Sequence, residues 1–306
     1  MHKQFIHKAA QLLLNSQVIA FPTETVYGLG ARADSAEAVK KIFELKGRPS
    51  HNPLIAHVPS VKQAQEFAQF NNAALQLANT FWPGPLTLVL PLTDPSKITD
   101  SARAGLPTVA VRCPSHPITQ ELLKEVNIPI VAPSANVSNR ISPTCSDHVR
   151  QYFPSIPILE GDQSQMGLES TIIDTTSDMP TLLRPGTLSI EQIEQTTGLK
   201  MNTHAKTKNI TAPGQLDLHY APTVPLRINV SSKIADEILI GFGDMVCDYN
   251  LSPKECLIEA SHNLYSLLLK VEKIGKPIAI CPIPNIGAGI AINDRLKRAA
   301  NITRVS

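Results

Sequence analysis

The stretch AFPTETVYGLGARA, residues 20–33, gathers polar groups directly behind an apolar run. Residues 18–21, VIAF, are continuously apolar and predict a buried strand. Three hydroxyl side chains, one carboxylate and two glycines then follow within residues 23–30. Such a concentration at one strand end raises the question of what these groups bind.

Strands and helices alternate irregularly around this stretch. Apolar residues at helical spacing predict helices over residues 1–14, 36–45, 72–81, 117–126, 146–152 and 189–197. Short aliphatic runs predict strands over residues 54–58, 86–90, 109–112, 128–132, 170–174 and 181–183. Asp34 and Glu37 resemble a capping box for the helix that starts at residue 36. Because the order is not a clean βαβ repeat, the sequence predicts an α/β fold with a twisted mixed sheet rather than a doubly wound parallel one.

The apolar periodicity stops over residues 200–225, which are polar and contain three prolines. That length exceeds an ordinary connection, so the segment is predicted to be functional or mobile. A second α/β pattern follows, with strands predicted at 238–242 and 278–282 and helices at 253–273 and 293–300. We therefore predict a catalytic domain over 1–204, a linker or lid over 205–225 and a smaller domain over 226–306.

Composition narrows the class of protein. The chain has 306 residues, with 28 basic and 26 acidic side chains, so a strongly basic nucleic-acid surface is not expected. No apolar run approaches the roughly 20 residues that a membrane span needs. The five cysteines are scattered without a CxxC pair, which fits a reducing cytoplasm and predicts no metal site from protein side chains.

The loop KGRPSHNPLIAH, residues 46–57, carries two cations two positions apart. Lys46 and Arg48 suit phosphate binding, and Asn52 and His57 add further polar groups. A solvated helix end with a charged loop remains the alternative interpretation.

Four more stretches place polar side chains on or at the ends of predicted strands. VAPSANVSNRISPT, residues 131–144, is rich in hydroxyls and amides, although turns use the same residue types. Thr108 and Arg112 share one face of a predicted strand, and an arginine there is costly unless it is paired or liganded. Glu169 begins ESTIID and Arg184 ends an apolar strand, where a structural ion pair would explain either residue alone.

Familiar nucleotide and hydrolase signatures are absent. The chain has no P-loop, GxSxG or HExxH motif. GAGIAI, residues 287–292, lacks the third glycine of a dinucleotide fingerprint and is better explained as a tight turn.

Taken together, the motifs resemble the YrdC family. Seven motifs occur in the order expected of that family: PTETVYGLG, K-x-R ahead of NPL, TVAVR, PSAN, SPT, ESTIID and LLRPG. A later stretch, PGQLDLHYAP, resembles the long two-domain form of the family, the threonylcarbamoyl-AMP synthases. The resemblance implies a YrdC-like twisted mixed open sheet whose concave, positively charged face is the active site. It also implies a smaller C-terminal α/β domain of Rossmann-like type.

The resemblance implies a nucleotidyltransferase that converts L-threonine, bicarbonate and ATP, with Mg²⁺ on the ATP, into L-threonylcarbamoyladenylate and pyrophosphate. A separate tRNA threonylcarbamoyl transferase complex would use the product to form t6A at position 37 of tRNAs that read ANN codons. Binding of tRNA by this chain itself would be weak or indirect.

Residue roles follow from the matching motifs, and no general base is assigned. The tetrad implied to be catalytic is Lys46, Arg48, Ser134 and Asn136. The implied ATP contacts are these four with Asn52, Thr108, Ser142, Arg184 and Tyr220, the last closing over the nucleotide from the linker. The implied L-threonine contacts are Thr23, His57, Arg112, Ala132 and Ser170, with the glycines of residues 28–30 letting the backbone approach the ligand.

Two other functions remain open. One is a module that binds double-stranded RNA or the ribosome, although the modest net charge and the lack of an aromatic platform count against it. The other is a YrdC-like domain that uses carbamoyl phosphate, as in hydrogenase maturation, and would not depend on threonine.

Overall fold

The computed structural model describes residues 2–203, 212–213, 219–234 and 236–300. In chain order the elements are α1 (His2–Leu14), β1 (Ile19–Phe21), β2 (Gly28–Arg32), α2 (Ala36–Lys46), β3 (Ile55–His57), α3 (Val61–Ala64), α4 (Asn72–Phe81), β4 (Leu86–Pro91), α5 (Asp100–Arg103), β5 (Thr108–Arg112), α6 (Pro117–Val126), β6 (Ile130–Val131), α7 (Ser146–Tyr152), β7 (Thr171–Asp174), β8 (Thr181–Arg184), α8 (Ile190–Thr197), β9 (Leu226–Arg227), β10 (Ile238–Gly241), β11 (Tyr249–Asn250), α9 (Leu257–Glu272), β12 (Ile278–Ile280) and α10 (Ala288–Ala300).

The larger sheet has eight strands in the order β1-β2-β6-β3-β5-β4-β7-β8. Two of its pairings, β3 with β5 and β4 with β7, are parallel, and the others are antiparallel. The predicted mixed α/β sheet is therefore confirmed. Consecutive strands are often not neighbours, so residues far apart in the chain meet across the sheet.

Periodicity located the helices of this part closely. The observed α4, α6 and α7 have the predicted bounds, and α8 begins one residue later than predicted because Ser189 is its N-cap. The capping-box prediction was wrong. Ser35 is the N-cap of α2 and accepts from the Ala38 amide, while Asp34 is paired with Arg32 at 2.7 Å.

Strand β2 was not predicted, because its glycines were interpreted as ligand contacts. The strand pairs with β1, and Gly30 lies opposite Ile19. A Cβ on Gly30 would lie 2.5 Å from Cε1 of Phe21, which is closer than any side chain tolerates. The glycine therefore makes room for the Phe21 ring rather than for a ligand.

We call residues 226–300 the C-terminal unit. Its four strands are all parallel, in the order β11-β10-β12-β9, and α9 and α10 pack on them through Leu264, Leu268 and Ile292. Helix α10 starts at Ala288, earlier than predicted, directly after Gly287, whose φ is +48°. The two-residue strands β9 and β11 were not predicted, since so short a run has no periodicity.

The C-terminal unit shares one apolar core with the first part of the chain. Val26, Ile141 and Leu168 belong to the same buried cluster as the side chains of α9. Gly167 lies so close to α9 that a Cβ there would be 2.5 Å from the Ser261 carbonyl oxygen. The domain boundaries at residues 204 and 225 remain predictions, and most of the segment between them lies outside the described residues. In the described part of the chain, no helix is both long enough and apolar enough to span a membrane.

Candidate active site

Side chains from widely separated stretches line one cavity beside the larger sheet. About 50 Å³ of it is free for water, which is room for a few molecules. Its lining consists of Thr23, Thr25, Val26, Gly28, Arg48, Ile55, His57, Arg112, Ala132, Pro133, Ser134, Glu169, Ser170, Arg184, Pro213, His219 and Tyr220.

The register of the sheet sets three polar side chains at one level. His57 on β3 lies opposite Arg112 on β5, and Arg112 lies opposite Thr87 on β4. The Thr87 and Ser170 hydroxyl oxygens are 2.7 Å apart. All four side chains are buried. A polar row thus crosses strands that alternate between parallel and antiparallel pairing.

Arg112 is paired inside the protein. Its Nη1 donates to Thr25 Oγ1 at 2.7 Å, and its Nη2 lies 2.7 Å from Glu24 Oε1. The other Glu24 oxygen accepts from the Ser115 amide at 3.0 Å. The structural ion pair left open by the sequence is therefore present, and the same guanidinium also lines the cavity.

The hydroxyl of Thr23 organises the turn after β1. It donates to the Val26 carbonyl at 2.6 Å and accepts from the Thr25 and Val26 amides at 3.2 Å. Its oxygen also lies 2.8 Å from Thr25 Oγ1. These bonds fix the direction of both threonines toward the cavity and toward Arg112.

His57 is neutral in this environment. Burial, and next the charge of Arg112, lower the pKa of His57 to about 3. Its Nδ1 lies 3.0 Å from the Ile55 carbonyl oxygen, and Phe21 packs edge-on against the ring. The imidazole is therefore a fixed, uncharged group at physiological pH.

Lys46 and Arg48 bind backbone carbonyls rather than carboxylates. Lys46 ends α2, is almost fully buried, and donates through Nζ to the carbonyls of Ser134, at 2.6 Å, and Asn136. Arg48 is half-buried and donates to the carbonyls of Asn52 and Pro53 at 3.1 and 2.8 Å. Removal from water is the main cause that lowers the pKa of both side chains. Neither takes part in an ion pair among the described residues, so two positive charges here lack an anion.

Arg184 brings a third cation to the cavity. It is buried, and its Nη2 donates to the Ser170 carbonyl at 2.9 Å and to the Ser170 hydroxyl at 3.2 Å. Its Nη1 lies 3.4 Å from the Pro213 carbonyl. Burial lowers the pKa of Arg184 as well. The cavity thus has a surplus of positive charge on the side formed by β8 and the loop after α2.

Among the described residues that line the cavity, Glu169 is the one carboxylate on that side, and both its oxygens accept hydrogen bonds. Ser142 donates to Oε1 at 2.6 Å. Arg295, from α10, donates to Oε2 at 2.9 Å, and the Tyr265 hydroxyl, from α9, donates to Oε2 at 3.1 Å. Burial alone would raise the pKa of Glu169, but these partners and Arg184 lower it to about 2. Glu169 is therefore ionised, and both its carboxylate oxygens already accept hydrogen bonds within the protein.

Comparison with known proteins identifies the family. The Sua5/YciO/YrdC family model, described as "Telomere recombination", matches residues 11–186. The chain belongs to the Sua5/YciO/YrdC family. A second model, described as "Threonylcarbamoyl-AMP synthase, C-terminal domain", matches residues 188–301.

Members of this family resemble the chain along almost its whole length. Threonylcarbamoyl-AMP synthases from Pyrococcus abyssi and Bacillus subtilis are each 38% identical to it, over 96% of this chain and 94% and 92% of theirs. A crystal structure of P. abyssi Sua5 complexed with L-threonine superposes with a TM-score of 0.89 at 37% identity, covering 97% of this chain and 94% of that one. The Escherichia coli YciO structure shares the fold over 61% of this chain, with a TM-score of 0.52 at 22% identity.

The family motifs converge as the resemblance implied, although their ligand roles remain predictions. All five residues predicted to contact threonine line the cavity: Thr23, His57, Arg112, Ala132 and Ser170. Four of those predicted to contact ATP also line it: Arg48, Ser134, Arg184 and Tyr220.

The other predicted ATP contacts lie behind this lining or away from it. Lys46 and Asn136 are directly behind Ser134, Asn52 holds Arg48 through its carbonyl, and Ser142 holds Glu169. Thr108 begins β5, whereas Arg112 ends it, so the two lie roughly 13 Å apart along the strand. Sharing a face of a strand did not bring Thr108 to the cavity.

Tyr220, the predicted main contact of the lid, is buried and lines the cavity. Its side chain is 1% exposed, and its ring lies 5.9 Å from that of Tyr265 in a stacked arrangement. His219 packs beside it at 3.9 Å, and burial first of all lowers the pKa of His219 to about 3. Much of the lid predicted over 205–224 falls on residues 205–211 and 214–218, which lie outside the described residues.

Sequence reasoning missed the residues that reach the site from the C-terminal unit. Arg295 carried a usable signal, because it stands between Ile292 and Ala299 on the apolar stripe of α10. A cation on such a stripe needs a buried partner. Tyr265 carried no such signal, since a tyrosine in an apolar helix face is usual.

Proposed function

We propose that the cavity is the active site at which this member of the threonylcarbamoyl-AMP synthases joins L-threonine, bicarbonate and ATP. One observation carries the proposal: a polar pocket around Arg112 lies in the same cavity as cations that have no carboxylate partner among the described residues. The pocket suits a small zwitterion, and the cations suit a triphosphate.

The threonine end is built around Arg112. A substrate carboxylate would add to the guanidinium, which Glu24 and Thr25 already hold in place. Neutral His57 and the hydroxyls of Thr23 and Ser170 supply uncharged polar contacts for the substrate's amine and hydroxyl. Ala132 also lines the pocket, and its side chain is only a methyl group.

The nucleotide end is built around Lys46, Arg48 and Arg184. Their charges are held by carbonyl dipoles and, for Arg184, also by the Ser170 hydroxyl, so a polyphosphate would relieve an unfavourable burial. The two carboxylates near the cavity, Glu24 and Glu169, are both bound to arginines. They therefore fit no metal-ligand role, and Mg²⁺ would be held by the phosphates of ATP, where it neutralises their charge.

The chemistry needs positioning more than covalent work by the protein. The threonine amine and bicarbonate form a carbamate with loss of water. A carbamate oxygen then bonds to the α-phosphorus as the bond to the β-phosphate oxygen breaks and pyrophosphate leaves. Fixed cations around the phosphates stabilise the charge of this transition state. His57 and His219 both have a pKa near 3, so neither is an effective base and no general base is assigned.

Nucleotide entry requires a rearrangement of the cavity. Free space of about 50 Å³ is far below the roughly 300 Å³ of even a small ligand pocket. Tyr220 and His219 are the side chains that fill it from the segment between the two sheets. Their displacement and return would admit ATP and then shield the carbamate and adenylate from water.

The decisive experiment measures pyrophosphate with ATP, L-threonine or bicarbonate omitted in turn. We expect release only when all three are present. Release of ADP and phosphate would refute the adenylate mechanism, and turnover without threonine would support the carbamoyl-transferase alternative. Salt-sensitive RNA binding without any ATP turnover would instead support the RNA-binding alternative.

The product's use is part of the same proposal. A threonylcarbamoyl-adenylate is an activated acyl group, and we infer that a separate tRNA-modifying transferase accepts it in the cytoplasm. Purified transferase and tRNA added to the reaction would then yield t6A, and the chain alone with tRNA would not.

A further inference from the structure

We propose that Arg295 and Tyr265 of the C-terminal unit are positioning residues for nucleotide binding, because they hold the Glu169 carboxylate away from the cavity cations. This inference rests on the proposed use of ATP. It assigns to the C-terminal unit a defined part in the reaction.

Two polar contacts between the two parts of the chain meet at one carboxylate, that of Glu169. Arg295 is 1% exposed, and its Nε donates to Glu169 Oε2 at 2.9 Å while its Nη2 donates to the Pro185 carbonyl at 3.0 Å. The Tyr265 hydroxyl adds the second contact to Oε2. A guanidinium bound to a carboxylate and to the carbonyl that follows Arg184 is fixed relative to the cavity wall.

Glu169 would otherwise compete with phosphate. It lines the cavity directly before Ser170, the residue whose carbonyl and hydroxyl Arg184 binds. A buried carboxylate without Arg295 has Arg184 as its nearest remaining cation, and an arginine paired with a carboxylate is not available to a triphosphate. Arg295 therefore keeps Arg184 free for the substrate.

The same two side chains hold Tyr220. The Arg295 guanidinium carbon lies 5.1 Å from the centre of the Tyr220 ring, on the face of the ring, and Tyr265 stacks beside it. The position of the tyrosine that fills the nucleotide end is thus set by the residues that neutralise Glu169. One cluster couples both features.

Several groups face Glu169 from the elements packed around it, and they determine how its charge responds to pH. They are Ser142, Arg184, His219, Tyr220, Tyr265 and Arg295, and Asp294 contacts Arg295 rather than Glu169. Only Arg184 and Arg295 among them are cations at neutral pH. Loss of Arg295 therefore raises the pKa of Glu169. Protonation of Glu169 at lower pH then removes the negative charge that Arg295 no longer balances.

The test compares steady-state kinetics of Arg295→Met with the double variant Glu169→Gln/Arg295→Met in the full chain. We expect Arg295→Met to raise the KM for ATP by about tenfold or more, with a much smaller change in the KM for threonine. The defect should shrink as pH falls, because protonation removes the Glu169 charge that competes with phosphate for Arg184. The double variant should recover most of the ATP affinity, since the competing charge is gone.

Two control variants separate this effect from general damage. Lys297→Met removes an exposed cation from the same helix, and Glu272→Gln removes an ion pair between the two parts, made with Arg140 at 2.9 Å. We expect neither to raise the KM for ATP selectively, even where Tm falls.

If Arg295→Met does not fold, Tyr265→Phe and Glu169→Gln keep the shape of the cluster and decide the question. Arg295 retains Asp294 at 2.6 Å in Glu169→Gln, so its charge stays compensated. The proposal requires a lower KM for ATP in Glu169→Gln and a higher one in Tyr265→Phe. A raised KM in Glu169→Gln, or a double variant as defective as Arg295→Met, overturns it. Wild-type protein without pyrophosphate release overturns the proposed function instead.

Discussion

Replacement of Lys46 by Met is expected to weaken nucleotide binding strongly while changing the stability of the protein little. The ammonium is 2% exposed and is held only by the Ser134 and Asn136 carbonyls. Leaving two carbonyls unsatisfied costs about 1–3 kcal/mol each. Removing an unpaired buried charge returns several kcal/mol. The free energy of unfolding should therefore change by less than about 2 kcal/mol, as these two estimates nearly cancel.

The affinity for ATP, unlike the stability, should fall strongly in Lys46→Met. Losing one buried charge contact to phosphate costs about 2–5 kcal/mol. At 1.4 kcal/mol per factor of ten, this is roughly a 30-fold to 4,000-fold rise in the Kd for ATP. Isothermal titration calorimetry and thermal unfolding on the same samples measure both quantities.

The number of protons taken up on ATP binding is a more specific measure of the role of Lys46. Burial, and next the charge of Arg48, hold the pKa of Lys46 well below its usual range, and a bound phosphate would raise it again. At pH values above the pKa of Lys46 in the free protein, ATP binding should therefore take up a proton, and affinity should fall as pH rises. Calorimetry in buffers of different ionisation enthalpy measures this uptake, which Lys46→Met should remove.

A matched control is Lys40→Met, on the same helix. Lys40 is exposed and is paired with Glu44 at 3.4 Å, so its loss should change neither ATP binding nor proton uptake. The reasoning would be refuted by near-normal ATP affinity in Lys46→Met. A large fall in Tm with unchanged affinity would equally show that the lysine is only structural.

Three further predictions concern the substrate, the linker and pH. Serine lacks one methyl group of threonine, which is worth roughly 1–3 kcal/mol in a fitted pocket, so serine should be a slow substrate. Valine should be rejected, because the buried polar groups that bind the threonine hydroxyl would lose their partner. Equal pyrophosphate release with threonine and valine would contradict this prediction. Protease cleavage within residues 205–224 should slow when ATP and threonine are both bound, and Tyr220→Ala should reduce that protection; equal cleavage with demonstrated binding would leave a plain tether. His57 and His219 are buried in the neutral form, so the free energy of unfolding should decrease as pH falls from about 6.5 toward 3, since the unfolded chain binds protons that the native state does not. In the double variant His57→Gln/His219→Gln the free energy of unfolding should depend less steeply on pH. An unchanged slope would argue against neutral histidines.

Local pattern was sufficient for much of the fold. The helices α4, α6 and α7 follow from apolar spacing alone. Asn71 caps the start of α4, and Asn127 ends α6 in the left-handed conformation. Strand β2 was missed because glycine has no side chain from which to infer a face. Its place in the sheet depends on Phe21, whose ring occupies the space that a Cβ on Gly30 would take.

The candidate site divides in the same way. Motifs in the sequence named Lys46, Arg48 and Arg112, because cations on a loop or within an apolar strand require an anion of some kind. Which anion each one meets is a question of long-range contacts. Arg112 is paired with Glu24, which lies 88 residues earlier in the chain (112 − 24), whereas the Lys46 ammonium donates only to backbone carbonyls.

By itself the sequence determined the class of fold, the family and the residue types that converge on the site, because these depend on periodicity and on side-chain chemistry. Only the tertiary structure decided that Thr108 lies a strand length from Arg112, and that Arg295 and Tyr265 reach across from the C-terminal unit to Glu169. Such contacts join elements more than 90 residues apart. Their existence depends on the order of strands in the sheet and on a shared core, and neither is encoded in any local stretch.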